Sequence, residues 1–305
     1  MIPASRPASG SLAALGEDGL LRLLTAHWKI DPDRVLTGVG DDCAVLRGDG
    51  RNHFLLLKTD AVVEGVHFAA HERPEWIGRK ALARALSDLA AMGAVPLAAV
   101  ITLGTAKDES ARRLRAIYRG IEGVAKKYRV DLVGGETTRA GQLFLNVALL
   151  GECRGYRPVL RSGARAGDLL FVTGRLGATR ARRHLLFEPR LAEGEWLARH
   201  GFASSLMDLS DGVGADLPRL ARASGVGFQL DPQAIPRARG ATLSAALNDG
   251  EDYELLFTAT PSHAKTLKKK WPFTTPLHSI GVMTPRGTKS RDAIFAHGFD
   301  HFKQR

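Results

Sequence analysis

At 305 residues the chain is longer than one hydrophobic core usually supports, so two domains are expected. An apolar fraction of 44% with 25% charged residues is that of an ordinary globular protein, and no run approaches the roughly 18 apolar residues of a membrane span. A formal net charge of +11 suits anionic small substrates, nucleic acid or an acidic membrane surface. The basic residues are dispersed, however, and no RNA- or DNA-binding signature accompanies them, so they read as solvated helix faces.

In chain order, residues 1–11 are polar and Pro/Ser-rich, a disordered tail without a signal-peptide apolar region. A short amphipathic helix follows, carrying Leu20, Leu23 and Leu24. Phe54 to Leu57 is a compact apolar run, a buried strand that delivers Lys58, Thr59 and Asp60 to a site. Pro74 opens a helix with Leu82, Leu86 and Leu89 at helical spacing, and Gly93 and Pro96 stop it. A second helix at about 109–128 carries the clearest stripe, including Ile117, Tyr118, Ile121 and Val124. Strands at about 97–103, 130–134 and 143–150 alternate with these helices. A composition change at 154–158 marks a domain joint, giving domains of 12–153 and 154–305. Beyond it, strands are expected near 168–173, 226–230, 253–259 and 278–283, with helices near 213–224, 241–247 and 262–270. Mixed elements without repeats indicate an α/β (α+β) fold. Cys43 and Cys153 are far apart and lack metal-ligand spacing, which fits a reduced, cytoplasmic compartment.

Acidic clusters stand at element ends throughout this basic chain: Gly38 to Asp42, Thr59-Asp60, Ser87-Asp88, Gly134 to Thr138, Asp208 to Gly212 and Gly250 to Asp252. Carboxylates beside Gly and small hydroxyl residues suit hard oxygen-ligand cations such as Mg²⁺, held together with substrate phosphates. Of Asp41 and Asp42, one is expected to reach a metal and the other to brace the loop. Ser210 or Asp211 also fits a helix N-cap. Gly134 and Gly135, directly after an apolar strand, let backbone approach an anion such as nucleotide phosphate. No P-loop, dinucleotide-binding or protein-kinase signature is present, and Gly174 to Gly177 reads as a turn before it reads as a phosphate loop.

Taken together, GVGDDCAVL (38–46), KTDAVVEGVHF (58–68), ALSDLAAMGAVP (85–96), LVGGETTR (132–139), LRSGARAGDLLFVTG (160–174), DLSDGVGADL (208–217), GEDYELLFT (250–258) and GFDHF (298–302) resemble the thiamine-monophosphate kinases. These belong to the superfamily that includes aminoimidazole ribonucleotide synthetase. The motifs run in family order over most of the chain. The resemblance implies a two-domain fold and ATP-dependent phosphorylation of thiamine phosphate to thiamine diphosphate by direct in-line transfer. It also implies a homodimer whose N-terminal sheets pair into a barrel, a C-terminal mixed sheet with helices, and active sites near the domain junctions. Neither nucleic acid nor membrane is an implied partner. Asp42, Thr59, Asp60, Asp88, Asp208 and Asp211 match the family's Mg²⁺ ligands, and Glu136 occupies the position of another. Tyr118, Arg161 and Ser210 match nucleotide-contacting positions. His67, Glu251 and Phe299 match positions that hold thiamine phosphate.

The chain departs from the family pattern at Glu136 for Asp, at Lys58 beside Thr59, at Ala85 for Asn and at Asp249 for Gly. Its 178–207 segment is short, leaving little room for the family's helix there. Two alternatives remain at this level: another ATP-using enzyme of the superfamily, or a catalytically weak basic homologue with a binding role.

Overall fold

The protein is described by a computed structural model over residues 11–288. Ser11, assigned by sequence to the tail, instead caps the first helix, α1 (Leu12–Thr25), by accepting a hydrogen bond from the Ala14 N–H. Helix α1 kinks at Gly16, and its Leu23 and Leu24 are exposed rather than packed. Two short strands that the sequence reading lacks, β1 (Val35–Thr37) and β2 (Ala44–Arg47), flank the Gly38 to Asp42 loop. Then come β3 (His53–Val63), α2 (Pro74–Ala90), β4 (Val95–Thr105), α3 (Ala111–Tyr128), β5 (Asp131–Arg139) and β6 (Phe144–Arg154). These six strands make one sheet in the order β1-β2-β3-β6-β4-β5. Only β4 and β5 pair in parallel, which the crossover helix α3 makes possible.

Downstream lie β7 (Leu169–Thr173), a helical turn over Thr179–Arg183, α4 (His184–Leu186), α5 (Leu191–Arg199), β8 (Ser205–Asp208), α6 (Val213–Ser224), β9 (Gly227–Leu230), α7 (Leu243–Asn248), β10 (Leu255–Ala259), α8 (Pro261–Lys270) and β11 (Leu277–Thr284). Their five strands form an antiparallel sheet ordered β8-β10-β7-β11-β9. The short 178–207 segment therefore holds more helix than expected, α4 and α5 included. Neither Ser210 nor Asp211 caps α6. Its N-cap is Gly212, at φ 94°, without a side-chain bond. Gly174 and Gly177 both take left-handed backbone, so that segment is a turn, with the Gly177 N–H donated to Asp252.

Alternation along β6 explains how the first sheet packs. Leu145, Val147, Leu149 and Cys153 point into the core against α2, while Leu150 with Leu57 and Val100 of the neighbouring strands lies on the other face, left uncovered among the described residues. In the second sheet Phe171, Leu206 and Phe257 join the core of the first half, whereas Leu170, Val172, Met207 and Leu256 meet Val213, Leu217 and Leu220 of α6. Helices α2 and α3 cross at two glycines. A Cβ on Gly78 would stand 1.8 Å from the Ile117 carbonyl oxygen, and one on Gly120 would stand 2.0 Å from that of Glu75.

A buried polar network ties down the ends of β7 and β10. Arg190 holds Glu254 through Nε (2.7 Å) and Nη2 (2.6 Å), and Thr173 donates to the same carboxylate at 2.8 Å. Asp252 accepts from Gly177 at 2.8 Å, but its Oδ2 has no hydrogen-bond partner, and burial pushes its carboxyl up to about 7.

Two expectations follow from this packing. Gly120→Ala should lower stability by about 1–3 kcal/mol through overpacking. Gly123→Ala, whose Cβ would meet nothing within 4 Å, should raise it by about 0.5–1 kcal/mol; equal effects in thermal melts would refute the crossing. Because the Asp252 carboxyl is raised when folded, its favourable contribution is complete below about pH 4 and is lost as pH climbs toward 7. Asp252→Asn should thus gain on the wild type between pH 5 and 8, by an amount on the order of a few kcal/mol. A pH-independent difference in denaturation midpoints would contradict this.

Candidate active site at the meeting of the two sheets

Three carboxylates distant in sequence converge where the two sheets meet. Asp42 comes from the loop between β1 and β2, Asp88 from the end of α2, and Asp208 from the last residue of β8. One oxygen from each lies within 4.8 Å of the others, and all three residues are buried. Helix α2 delivers Asp88 because its apolar stripe seats it against the sheet and Gly93 ends the following turn. Ser87 beside it donates to Asp208 Oδ2 at 2.6 Å, a link across the two halves. Asp41, the neighbour of Asp42, braces the loop. It accepts the backbone N–H groups of Asp42 (3.0 Å) and Arg161 (3.1 Å).

Electrostatics mark this as an expensive arrangement. Burial, then the Asp42 charge, pushes the Asp208 carboxyl up to about 7. Burial raises Asp88 well above the usual carboxylate range, with Asp208, Asp60 and Asp42 adding to it and Lys58 opposing. Arg161 grips Asp42 through Nη2 (2.5 Å) and Nε (3.2 Å). Lys58 Nζ lies 3.0 Å from Asp88 Oδ1. Burial pushes this ammonium down, and Asp88 and Asp60 more than reverse it, so Lys58 stays charged.

The remaining sequence-selected residues fall in several places. Asp60 is on the same face of β3 as Lys58 but pairs with Arg84 at 3.1 Å, outside the three-carboxylate cluster. Thr59, between them, points to the opposite, open face and donates to Asn146 at 3.0 Å. Asp211 is ion-paired with Arg219, which also holds Asp216 at 2.8 Å. Glu136 sits exposed on β5, its carboxylate accepting the Thr137 N–H at 2.9 Å. Gly135 allows β5 to press on β4, since a Cβ would stand 1.8 Å from the Ile101 oxygen. Tyr118 is half-buried on α3. Ser210 gives its carbonyl to the Glu251 N–H at 2.7 Å. His67 Nδ1 accepts from the Val63 N–H at 3.1 Å. Phe299 lies outside the described residues.

Sequence reading missed Ser87 as a contact, and with it Lys80 and Arg84. A signal was available, because Lys80, Arg84 and Asp88 recur every four residues on a helix that is otherwise apolar on its buried side. The carboxylate donors fit a hard divalent cation, because burial and then the neighbouring aspartate charges raise Asp88 and Asp208, and such an ion offsets both effects.

Comparison with known proteins identifies the family. Residues 40–153 match the family model of the AIR synthase related protein N-terminal domain. A thiamine-monophosphate kinase of Rhodopirellula baltica is 33% identical over 293 residues, covering 88% of this chain and 92% of that protein. A solved structure of AaThiL complexed with AMPPCP and TMP superposes with TM-score 0.83 at 29% identity, covering 97% of this chain and 100% of that one. The thiamine-monophosphate kinase of Stenotrophomonas maltophilia K279a gives TM-score 0.71 at 32% identity, with 87% and 92% covered. The motifs in family order, the two-sheet architecture and near full-length identity to named relatives coincide in one molecule, and the chain belongs to the thiamine-monophosphate kinase family.

Proposed function

We propose that this chain transfers the γ-phosphoryl group of ATP to thiamine phosphate, yielding thiamine diphosphate and ADP. The observation that carries the reading is the convergence of Asp42, Asp88 and Asp208 at the meeting of the sheets, in a chain whose net charge is +11 overall. Asp42, Asp88 and Asp208 would hold Mg²⁺; Asp60, Asp211, Thr59 and Glu136 match further family ligand positions by sequence but lie outside this cluster, Asp60 and Asp211 being ion-paired with Arg84 and Arg219. When bound, the cation supplies neutralisation of donor and acceptor phosphate charge.

The chain's own groups do the rest by positioning. The acceptor oxygen belongs to a phosphate with a second pKa of about 6, already largely deprotonated at neutral pH, so no strong general base is needed. One oxygen of that phosphate attacks the γ-phosphorus, a new P–O bond forms, and the bond to the β-phosphate oxygen breaks as ADP leaves. Arg161, Ser210, Tyr118 and the Gly135 backbone would hold the nucleotide. The Val63 N–H on His67 Nδ1 leaves the ring proton on Nε2, a donor suited to the acceptor's phosphate. Burial pushes the Glu251 carboxyl up, and the His184 imidazole and Lys80 ammonium more than reverse it, to about 2. That permanent carboxylate suits an aminopyrimidine. Phe299 is the aromatic assigned to the thiamine ring by family position.

The uncovered face of the first sheet, with exposed Leu57 and Val100, and the fully exposed edge strand β5 support a homodimer formed through this sheet. Among the described residues no helix is long and apolar enough to cross a membrane. A cytoplasmic location is part of the proposal.

The test is formation of thiamine diphosphate by purified protein with ATP, Mg²⁺ and thiamine phosphate. Acceptor-dependent product is expected, with Asp88→Asn lowering kcat by at least about 100-fold while the fold persists. ATP consumption without acceptor dependence would sink the reading. Lys58 offers a second check, since its ammonium already neutralises Asp88. Lys58→Met should tighten Mn²⁺ binding about tenfold, read by electron paramagnetic resonance titration. Unchanged or weaker Mn²⁺ affinity would show that Lys58 does not compete for that carboxylate.

A further inference from the structure

Lys80 has no exposed surface, yet it is a charged residue in the middle of α2. Its Nζ lies 2.6 Å from the His67 carbonyl oxygen, 2.8 Å from His184 Nδ1 and 2.5 Å from Glu251 Oε1. The His67 carbonyl and the Glu251 carboxylate accept from this ammonium, and the His184 imidazole packs beside both it and Glu251. These partners come from three separate segments: the loop after β3, α4, and the turn before β10. A buried ammonium is seldom retained for stability, because an apolar side chain of similar volume usually packs as well or better. What this one does is join two groups that otherwise have no reason to keep a fixed separation.

Both groups are held in constrained states. Glu251 occupies left-handed backbone at φ 56°, fixed by its N–H on the Ser210 carbonyl. Its Oε2 lies 3.2 Å from His184 Nδ1, and Tyr253 Oη reaches Oε1 at 3.4 Å. The His67 segment turns sharply after β3, with its own backbone N–H on the Val63 carbonyl. Without the lysine, the partly exposed Glu251 carboxylate would lose its shortest contact, and the His67 carbonyl would lose its side-chain donor.

We propose that Lys80 is a positioning residue for the phosphate acceptor, tying the His67 loop to Glu251 so that the acceptor's phosphate and its amine-bearing ring are gripped at one fixed spacing. The inference rests on the function proposed above, in which His67 and Glu251 hold thiamine phosphate. It predicts that Lys80 governs selectivity for acceptor length and leaves the nucleotide side alone. Burial pushes the Lys80 ammonium down to about 8, and Glu251 is held at about 2, so both ends of the link are charged at neutral pH.

The experiment is steady-state kinetics of Lys80→Met against the full-length wild type, with both substrates varied. Loss of a buried charged hydrogen bond should raise KM for thiamine phosphate by about tenfold or more and change KM for ATP by less than about twofold. Adding Glu251→Gln to Lys80→Met should cost less than about twofold beyond it, because the two act as one unit. Parallel changes in both KM values and kcat, or effects that simply multiply in the double variant, overturn the inference. A melting curve shows whether Lys80→Met is folded at the assay temperature. If it is not, Lys80→Gln, which keeps a donor without the charge, is judged on the same KM split. A wild type that fails to phosphorylate thiamine phosphate overturns the functional reading and this inference together. A wild type that does so, with no selective KM change in the variant, overturns the inference alone.

Discussion

The structure depends on a charged stripe inside a buried helix. Lys80, Arg84 and Asp88 follow one another at four-residue steps on α2, and each meets an opposite charge from another element: Glu251, Asp60 and Lys58 in turn. Ions taken out of water must be matched in both position and sign, or the cost is several kcal/mol each. Three such matches on one rigid rod fix β3 on one side and the turn before β10 on the other. The apolar residues of α2 stabilise the helix in place. The stripe specifies the register at which it seats, because a shift along the axis would bring like charges together.

The same stripe governs the charge balance of the site. Asp42, Asp60 and Asp88 each have a cationic partner of the chain itself, in Arg161, Arg84 and Lys58. The Asp208 carboxylate takes a hydrogen bond from the Ser87 hydroxyl at 2.6 Å, and burial pushes it up to about 7. Asp208, at the end of β8 on the second sheet, is thus the member of the cluster without an ion-pair partner among the described residues. Cations brought by substrate or solution meet a centre that is already partly neutralised. Lys58 beside Asp88 and Arg161 on Asp42 supply that neutralisation.

Much of the fold was legible because its elements obey simple periodicities. Helices α2, α3 and α6 carry apolar stripes, and their bounds fell close to the expected ones. The failures have physical causes. β5 begins where a strand is expected, at 130–134, but runs on to Arg139; it is exposed along its whole length, so no alternation advertises its second half, and its Gly134 and Gly135 look like a loop. β1 and β2 are too short to show a pattern. The 178–207 segment is short, yet α5 fits into it by burying Leu191, Glu193, Gly194, Leu197 and Ala198. At the site, the acidic residues were visible one by one, and the carboxylates that converge were among them. Their individual partners were not, because Lys58 with Asp88 and Lys80 with Glu251 are separated by 30 and 171 residues.

Thr59 and Asp60 show why neighbours in a motif can belong to different parts of the chemistry. Successive residues of a strand face opposite ways, so Asp60 looks toward α2 and Thr59 toward the uncovered face. That uncovered face also carries Leu57 and Val100, and one of the two edges of the sheet is β5 with Glu136 on it. Residues assigned by family position to one metal site are thus divided within a single chain between a buried interior and an open sheet surface. A second copy packed on that surface would remove Thr59 from water without moving Asp60, and so would change the two halves of the motif independently. Burial of the open face would then act on Thr59 and its Asn146 partner directly, while the stripe on α2 continues to set the buried carboxylates.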